Sequence, residues 1–141
     1  SVTSGGVAVK AERSQLFYQC TFLYVSFQAI HQSIGGADDD TQPCWLDTSL
    51  LSMLNAELQR IRRHAAHVPT IIEPLDIAVY HCNMLLANCP GAMNSQFCRD
   101  HLDAIMQALK ATTEALSAPA AMAAPSGWSS IARWLTPWRQ R

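Results

Sequence analysis

Ser95-Gln-Phe-Cys98-Arg-Asp-His-Leu102-Asp-Ala-Ile105-Met-Gln-Ala-Leu109-Lys-Ala-Thr112-Thr-Glu-Ala-Leu116-Ser117 carries apolar or small residues at alternating steps of four and three. Cys98, Leu102, Ile105, Leu109, Thr112 and Leu116 therefore share one face of a helix. Three earlier stretches repeat the pattern: Leu16, Cys20, Leu23, Phe27, Ile30, Ile34; then Leu51, Leu54, Leu58, Ile61, Ala65; then Ile72, Leu75, Val79, Cys82, Leu86. Each face needs a partner, and the connections between the stretches are short. The expectation is an all-α fold, an antiparallel up-down four-helix bundle, with a short C-terminal amphipathic helix.

Punctuation residues divide the chain. Residues 1–11 are small and Gly-containing and read as a flexible arm, and residues 12–117 as the bundle. The first helix is expected over about 12–34, stopped by Gly35-Gly36. Asp38-Asp39-Asp40 and Pro43 form a polar connection, and Asp47, Thr48 or Ser49 caps the second helix. That helix runs to about His67, with Arg60, Arg62 and Arg63 near its C-terminus, where cations suit the dipole. Pro69-Thr70 separates it from the third helix, whose first turn is expected to hold Pro74. The third helix ends near Asn88, before Pro90-Gly91. Asn94 or Ser95 caps the fourth. Residues 118–127, rich in Ala and Pro, read as a linker.

A chain of 141 residues is long enough to bury one sizeable core without a metal or disulfide. The formal net charge is −1, with no basic bias, so nucleic acid is not expected as a partner. Residues 14–34 carry no formal charge if His31 is neutral. Gln15, Gln19, Ser26, Gln28, His31, Gln32 and Ser33 interrupt the run, so it reads as a core helix rather than a membrane span. The chain begins Ser-Val-Thr-Ser, without methionine or a signal-like apolar run. It reads as a processed protein, an excised domain or a chain with its start removed, and localisation is left open between cytoplasmic and extracytoplasmic.

Of the five cysteines, Cys20, Cys82 and Cys98 lie on seams and read as small core residues. Cys44 and Cys89 lie in connections at one end of an up-down bundle and are a candidate pair. Cys82 and Cys98 flank one hairpin and are another. In an oxidising compartment one or both bridges are expected, and in the cytosol neither. No zinc-type cysteine spacing occurs. His64 and His67 lack an accompanying Glu-x-x-His pattern, and His81-Cys82 is a weak signal alone, so no metal site and no cofactor are expected. Gly-rich phosphate loops and nucleophile elbows are absent, and Asp100 with Asp103 reads as a solvated helical turn. The chain is expected to be non-enzymatic.

Ile30-His31-Gln32-Ser33-Ile34-Gly35-Gly36-Ala37 resembles the signature of histidine-phosphotransfer domains, which are also four-helix bundles. The resemblance implies that His31 accepts phosphate and that the small residues admit a partner. The lysine usual before the first glycine is Ile34 here, and three aspartates follow. The spacing Cys89-x8-Cys98 resembles the last cysteine pair of insect odorant-binding proteins, which implies a secreted, disulfide-stapled carrier of an apolar ligand. The earlier close cysteine pair of that family is missing. Glu73-Pro74-Leu75-Asp76-Ile77-Ala78 resembles a short stretch in plant lipase-like immune regulators, too short to carry a function.

The tail, residues 128–141, holds three of the four tryptophans and three of the ten basic residues, and no acidic one. Trp128, Ile131, Leu135 and the adjacent Trp134 form an apolar side, with Trp138, Arg133, Arg139 and Arg141 around it. Tryptophan and arginine are common anchors of protein contacts. The leading expectation is a helical protein-interaction module, such as an adaptor, chaperone-like subunit or regulator. Its partner is another protein, a second copy included, met through a bundle groove, this tail or both. Tail contact with a membrane surface is the less favoured alternative.

Overall fold

The computed structural model describes residues 2–34 and 43–117, with side chains from residue 9 onward. Four helices account for most of them: α1 (Val2–Ser33), α2 (Thr48–His64), α3 (Pro69–Ala87) and α4 (Ser95–Ser117). Two short strands, β1 (Pro43–Cys44) and β2 (Met93–Asn94), pair antiparallel, with Pro43 opposite Asn94 and Cys44 opposite Met93. The described residues are all-α apart from this bridge. The tail and the 118–127 linker, with the expected C-terminal amphipathic helix, lie outside the described residues.

Helix α4 is the hub, packed extensively against both α3 and α1, while α2 packs on α3 and meets α1 only lightly. Its sequence explains the double role. Cys98, Leu102, Ile105, Leu109, Thr112 and Leu116 are all buried, as the heptad pattern predicts. A second seam, Ala104, Ala108, Ala111 and Ala115, is buried beside it. Small side chains on that second seam let a neighbouring helix approach closely. The buried Thr112 hydroxyl donates to the Ala108 carbonyl at 2.9 Å, so it costs the core no unpaired polar group.

Polar contacts record the helix directions. Arg13 of α1 donates to the carbonyls of Ala115 and Leu116 at 3.1 and 3.3 Å, and His31 meets Asp103 at 3.0 Å, so α1 and α4 run oppositely. Asn55 with Asn83 and Arg62 with Asp76 do the same for α2 and α3. The Arg13 guanidinium also places a cation on the last carbonyls of α4, where the helix dipole favours it.

The first two seams are buried as read, except that Ile34 is half-buried just past the end of α1. The third is rotated. Ile71, Pro74, Leu75, Ala78, Cys82 and Leu85 are buried, whereas Ile72, Val79 and Leu86 are half-buried. Helix α3 lies between two neighbours, and its buried arc is centred between the two faces they cover.

Three boundaries differ from the sequence expectation. Helix α1 starts at Val2, not near residue 12, because Gly5-Gly6 did not end the helical run. Helix α2 ends at His64, short of His67. Helix α3 starts at Pro69 itself, which takes the first-turn position where a missing N–H costs least, so Pro74 sits inside the helix. The caps follow the sequence: the Asp47 carboxylate accepts from Leu50 N at 3.0 Å, and Asn94 Oδ1 accepts from Gln96 N and Phe97 N at 2.8 and 3.2 Å.

Two stability predictions follow from this packing. Asp47→Ala removes the cap of α2 and should cost about 1 kcal/mol in urea unfolding. Asn55 donates to Asn83 at 2.9 Å, but its own Oδ1 is buried with no partner. Asn83 is exposed, so water can replace the lost bond. Asn55→Leu should therefore raise the urea midpoint, by about 1 kcal/mol in stability.

Candidate functional site

Helix α1 has two apolar sides and buries one. Leu16, Cys20, Leu23, Phe27 and Ile30 face the core. Tyr18, Phe22, Val25 and Ala29, at steps of four, three and four, lie on the opposite side of the same helix. Tyr18 is 70% exposed, Phe22 62% and Val25 54%. The polar residues flanking this stripe do little to wet it. Thr21 donates its hydroxyl to the Phe17 carbonyl at 2.8 Å, and Ser26 donates to the Phe22 carbonyl at 2.9 Å. Both turn back onto their own helix. The remaining flanks, Ser14, Gln15 and Gln19, are uncharged. The result is an aromatic and aliphatic strip about three turns long, on a helix whose opposite side packs on α4.

The stripe is not legible from the uncharged run 14–34 when that run is taken as a core helix with a single seam. A second heptad seam, offset by half a turn from the first, was the available signal.

A second cluster joins α3 and α4. His81 and His101 bring their Nδ1 atoms to 2.9 Å, with ring centroids 5.1 Å apart. At that distance one Nδ1 donates its hydrogen and the other accepts, so the contact cannot hold both rings charged. Tyr80 packs edge-on against His81 at 5.0 Å, and Phe97 against His101 at 4.4 Å. Burial, and then the charge of His101, lowers His81 to about 4. Burial lowers His101 too, against an opposing pull from Asp100. His81 and Tyr80 form one end of an open groove that continues along α3 past Ile77 and Ile72. Among the described residues no three histidine, cysteine or acidic side chains converge in a way that would hold a metal ion. No described helix is long and apolar enough to cross a membrane.

The cysteines are arranged differently from either expected pairing. Cys44, Cys82, Cys89 and Cys98 all carry free thiols, as does Cys20, so neither a Cys44–Cys89 nor a Cys82–Cys98 bridge is present. The β1–β2 bridge fixes Cys44 opposite Met93, just before the first turn of α4. That register brings Cys44 Sγ to 2.9 Å from Cys98 Sγ, and Met93 Sδ stands 3.8 Å from Cys98 Sγ. Cys89 instead turns its thiol to the Leu85 carbonyl at 3.5 Å. Cys82 is fully buried on α3, where burial and the nearby Cys89 push its thiol up to about 12.

His31 lies in the last turn of α1, with its Nε2 engaged by the Asp103 carboxylate. A phosphoryl group on that nitrogen would meet a negative charge at the same contact. Helix α1 stops at Ser33, two residues before Gly35, whereas the phosphotransfer resemblance implies a helix that continues. Gly35, Gly36 and Ala37 lie outside the described residues, as do Trp128, Ile131, Arg133, Trp134, Leu135, Trp138, Arg139 and Arg141.

Compared with known proteins, the chain matches no family model, no curated protein and no solved structure.

The histidine pair sets a pH response. Unfolded histidine titrates near 6.5, and His81 in the fold near about 4. Between those values the unfolded chain binds more protons, so the pair's contribution is complete above about 6.5 and is lost as pH falls toward 4. Urea midpoints at pH 7.5 and 5 should show a smaller acid-side loss when His81→Leu and His101→Leu are combined. The other titrating groups are common to both proteins and cancel in that comparison.

Proposed function

We propose that this chain is a non-enzymatic helical interaction module, an adaptor or regulator, that docks the apolar face of a helix from another protein chain onto the outer stripe of α1. The stripe of Tyr18, Phe22 and Val25 carries the reading. Its 4-3-4 spacing is the spacing by which the chain's own core helices pair, so the complementary surface is another apolar helical seam. Aromatic side chains concentrate binding energy in such contacts. On α1 itself the flanks of the stripe are uncharged, which favours an apolar partner face over a charged one. The module does not call on nucleic acid, a metal or a cofactor.

In this reading the four helices form an antiparallel up-down bundle, which the opposed α1–α4 and α2–α3 contacts support. Its role is mechanical: α4 holds the inner side of α1 so that the outer side is presented as one rigid surface. The Trp/Arg tail, 128–141, follows α4, whose last carbonyls lie beside Arg13 at the N-terminal half of α1. Its tryptophans and arginines are a second contact for the same partner in this reading.

The test places a photoactivatable benzoyl group at Phe22 in the full-length chain, in its native cells. Adducts joining two chains are expected, and Tyr18→Glu with Val25→Glu should abolish them without moving the thermal midpoint, because both residues are exposed. Adducts confined to the chain's own residues 118–141 would overturn the reading and make the stripe a seat for the tail. An unreactive stripe would overturn it as well.

A further inference from the structure

We infer that Cys44 and Cys98 are a built disulfide site, which closes under oxidation and staples the α1–α2 connection onto the start of α4. The pairing rests on placement by two independent elements. The β1–β2 bridge holds Cys44 from one side through its register with Met93. The Asn94 cap fixes the first turn of α4, and with it Cys98, from the other. Their sulfurs stand 2.9 Å apart, less than about 1 Å beyond the roughly 2.05 Å of a disulfide bond. Neither helix has to move for the bond to form.

The two thiols differ in access, and that orders the chemistry. Cys98 is fully buried, and burial first, with its hydrogen bond to Cys44 second, pushes it up to about 12. It keeps its proton and does not start the reaction. Cys44 is half-buried at the edge of the fold and meets the oxidant first. With a small-molecule disulfide such as oxidised glutathione, the Cys44 thiolate attacks one sulfur. A mixed disulfide forms and the first small thiol leaves. Cys98 then gives its proton to solvent and attacks Cys44 Sγ, releasing the second small thiol. Two protein thiols are oxidised by two electrons, and one small-molecule disulfide is reduced to two thiols. Cys20 and Cys82 are as buried as Cys98, but neither stands against Cys44 as Cys98 does at 2.9 Å, and so neither takes part.

The bond would close a loop across 54 positions of sequence that holds α2, α3 and the connections between them and α4. Such a closure removes much of the unfolded chain's freedom, and a thermal midpoint higher by roughly 10 °C is expected for the oxidised protein.

The experiment incubates the full-length protein with oxidised glutathione, blocks the remaining thiols with N-ethylmaleimide, and maps the linked peptides by mass spectrometry before and after reduction. A Cys44–Cys98 linkage is expected, with the midpoint rise reversed by reductant and absent in Cys44→Ser. Because Cys98→Ser puts a hydroxyl in the core, Cys98→Ala serves as its fold-preserving counterpart. It should trap the mixed disulfide on Cys44. A linkage through Cys89 instead, a mixed disulfide that persists on Cys44 in the parent protein, or five alkylated thiols would each overturn the inference.

Discussion

Helix α4 must bury two surfaces at once, and the other elements are arranged by how that demand is met. Its larger seam, from Cys98 to Leu116, is the one the heptad pattern displays. Its second seam is made of alanines, which bury little area each but let a neighbouring backbone come close. Helices α1 and α3 therefore both pack on α4, and α2 completes the same core against α3. Breaking the heptad seam would leave two helices without a support rather than one.

That arrangement creates the surface on which function is proposed. Helix α1 is held by α4 along one side and scarcely touched by α2, so its other side is left to solvent. Tyr18 and Phe22 there are large apolar groups, exposed on a helix that has already satisfied its core face. Single exposed apolar residues are ordinary, but an aligned run of them with hydroxyl neighbours folded back on the backbone is a contiguous strip. The same bundle end logic places sulfur against sulfur: a two-residue β bridge, worth little as a sheet, sets the register that joins Cys44 to Cys98.

The buried polar groups show where specificity and sensitivity reside. The His81–His101 contact crosses the α3–α4 interface, the most extensive helix pairing in the fold, and it is satisfied only while one proton is shared between the rings. Asn55 crosses from α2 to α3 through Asn83 with one oxygen left over.

Local sequence determined the four helices, their caps at Asp47 and Asn94, and the buried faces of α1, α2 and α4. Each of these depends on residues within a turn or two of one another, and 3.6-residue periodicity records such relations directly. Tertiary structure alone decided the rest. The rotated face of α3, with Ile71, Ala78 and Leu85 buried in place of Ile72, Val79 and Leu86, comes from packing between two neighbours, which no single-helix pattern specifies. The stripe at Tyr18, Phe22 and Val25 is exposed because it lies opposite the face of α1 that packs into the core. Cys44 meets Cys98 rather than Cys89 because a bridge between residues 49 and 51 positions apart in sequence sets the register, and His81 meets His101 because α3 and α4 pack side by side. Spacing along a chain says which side chains share a face; only the packed fold says which faces are shared.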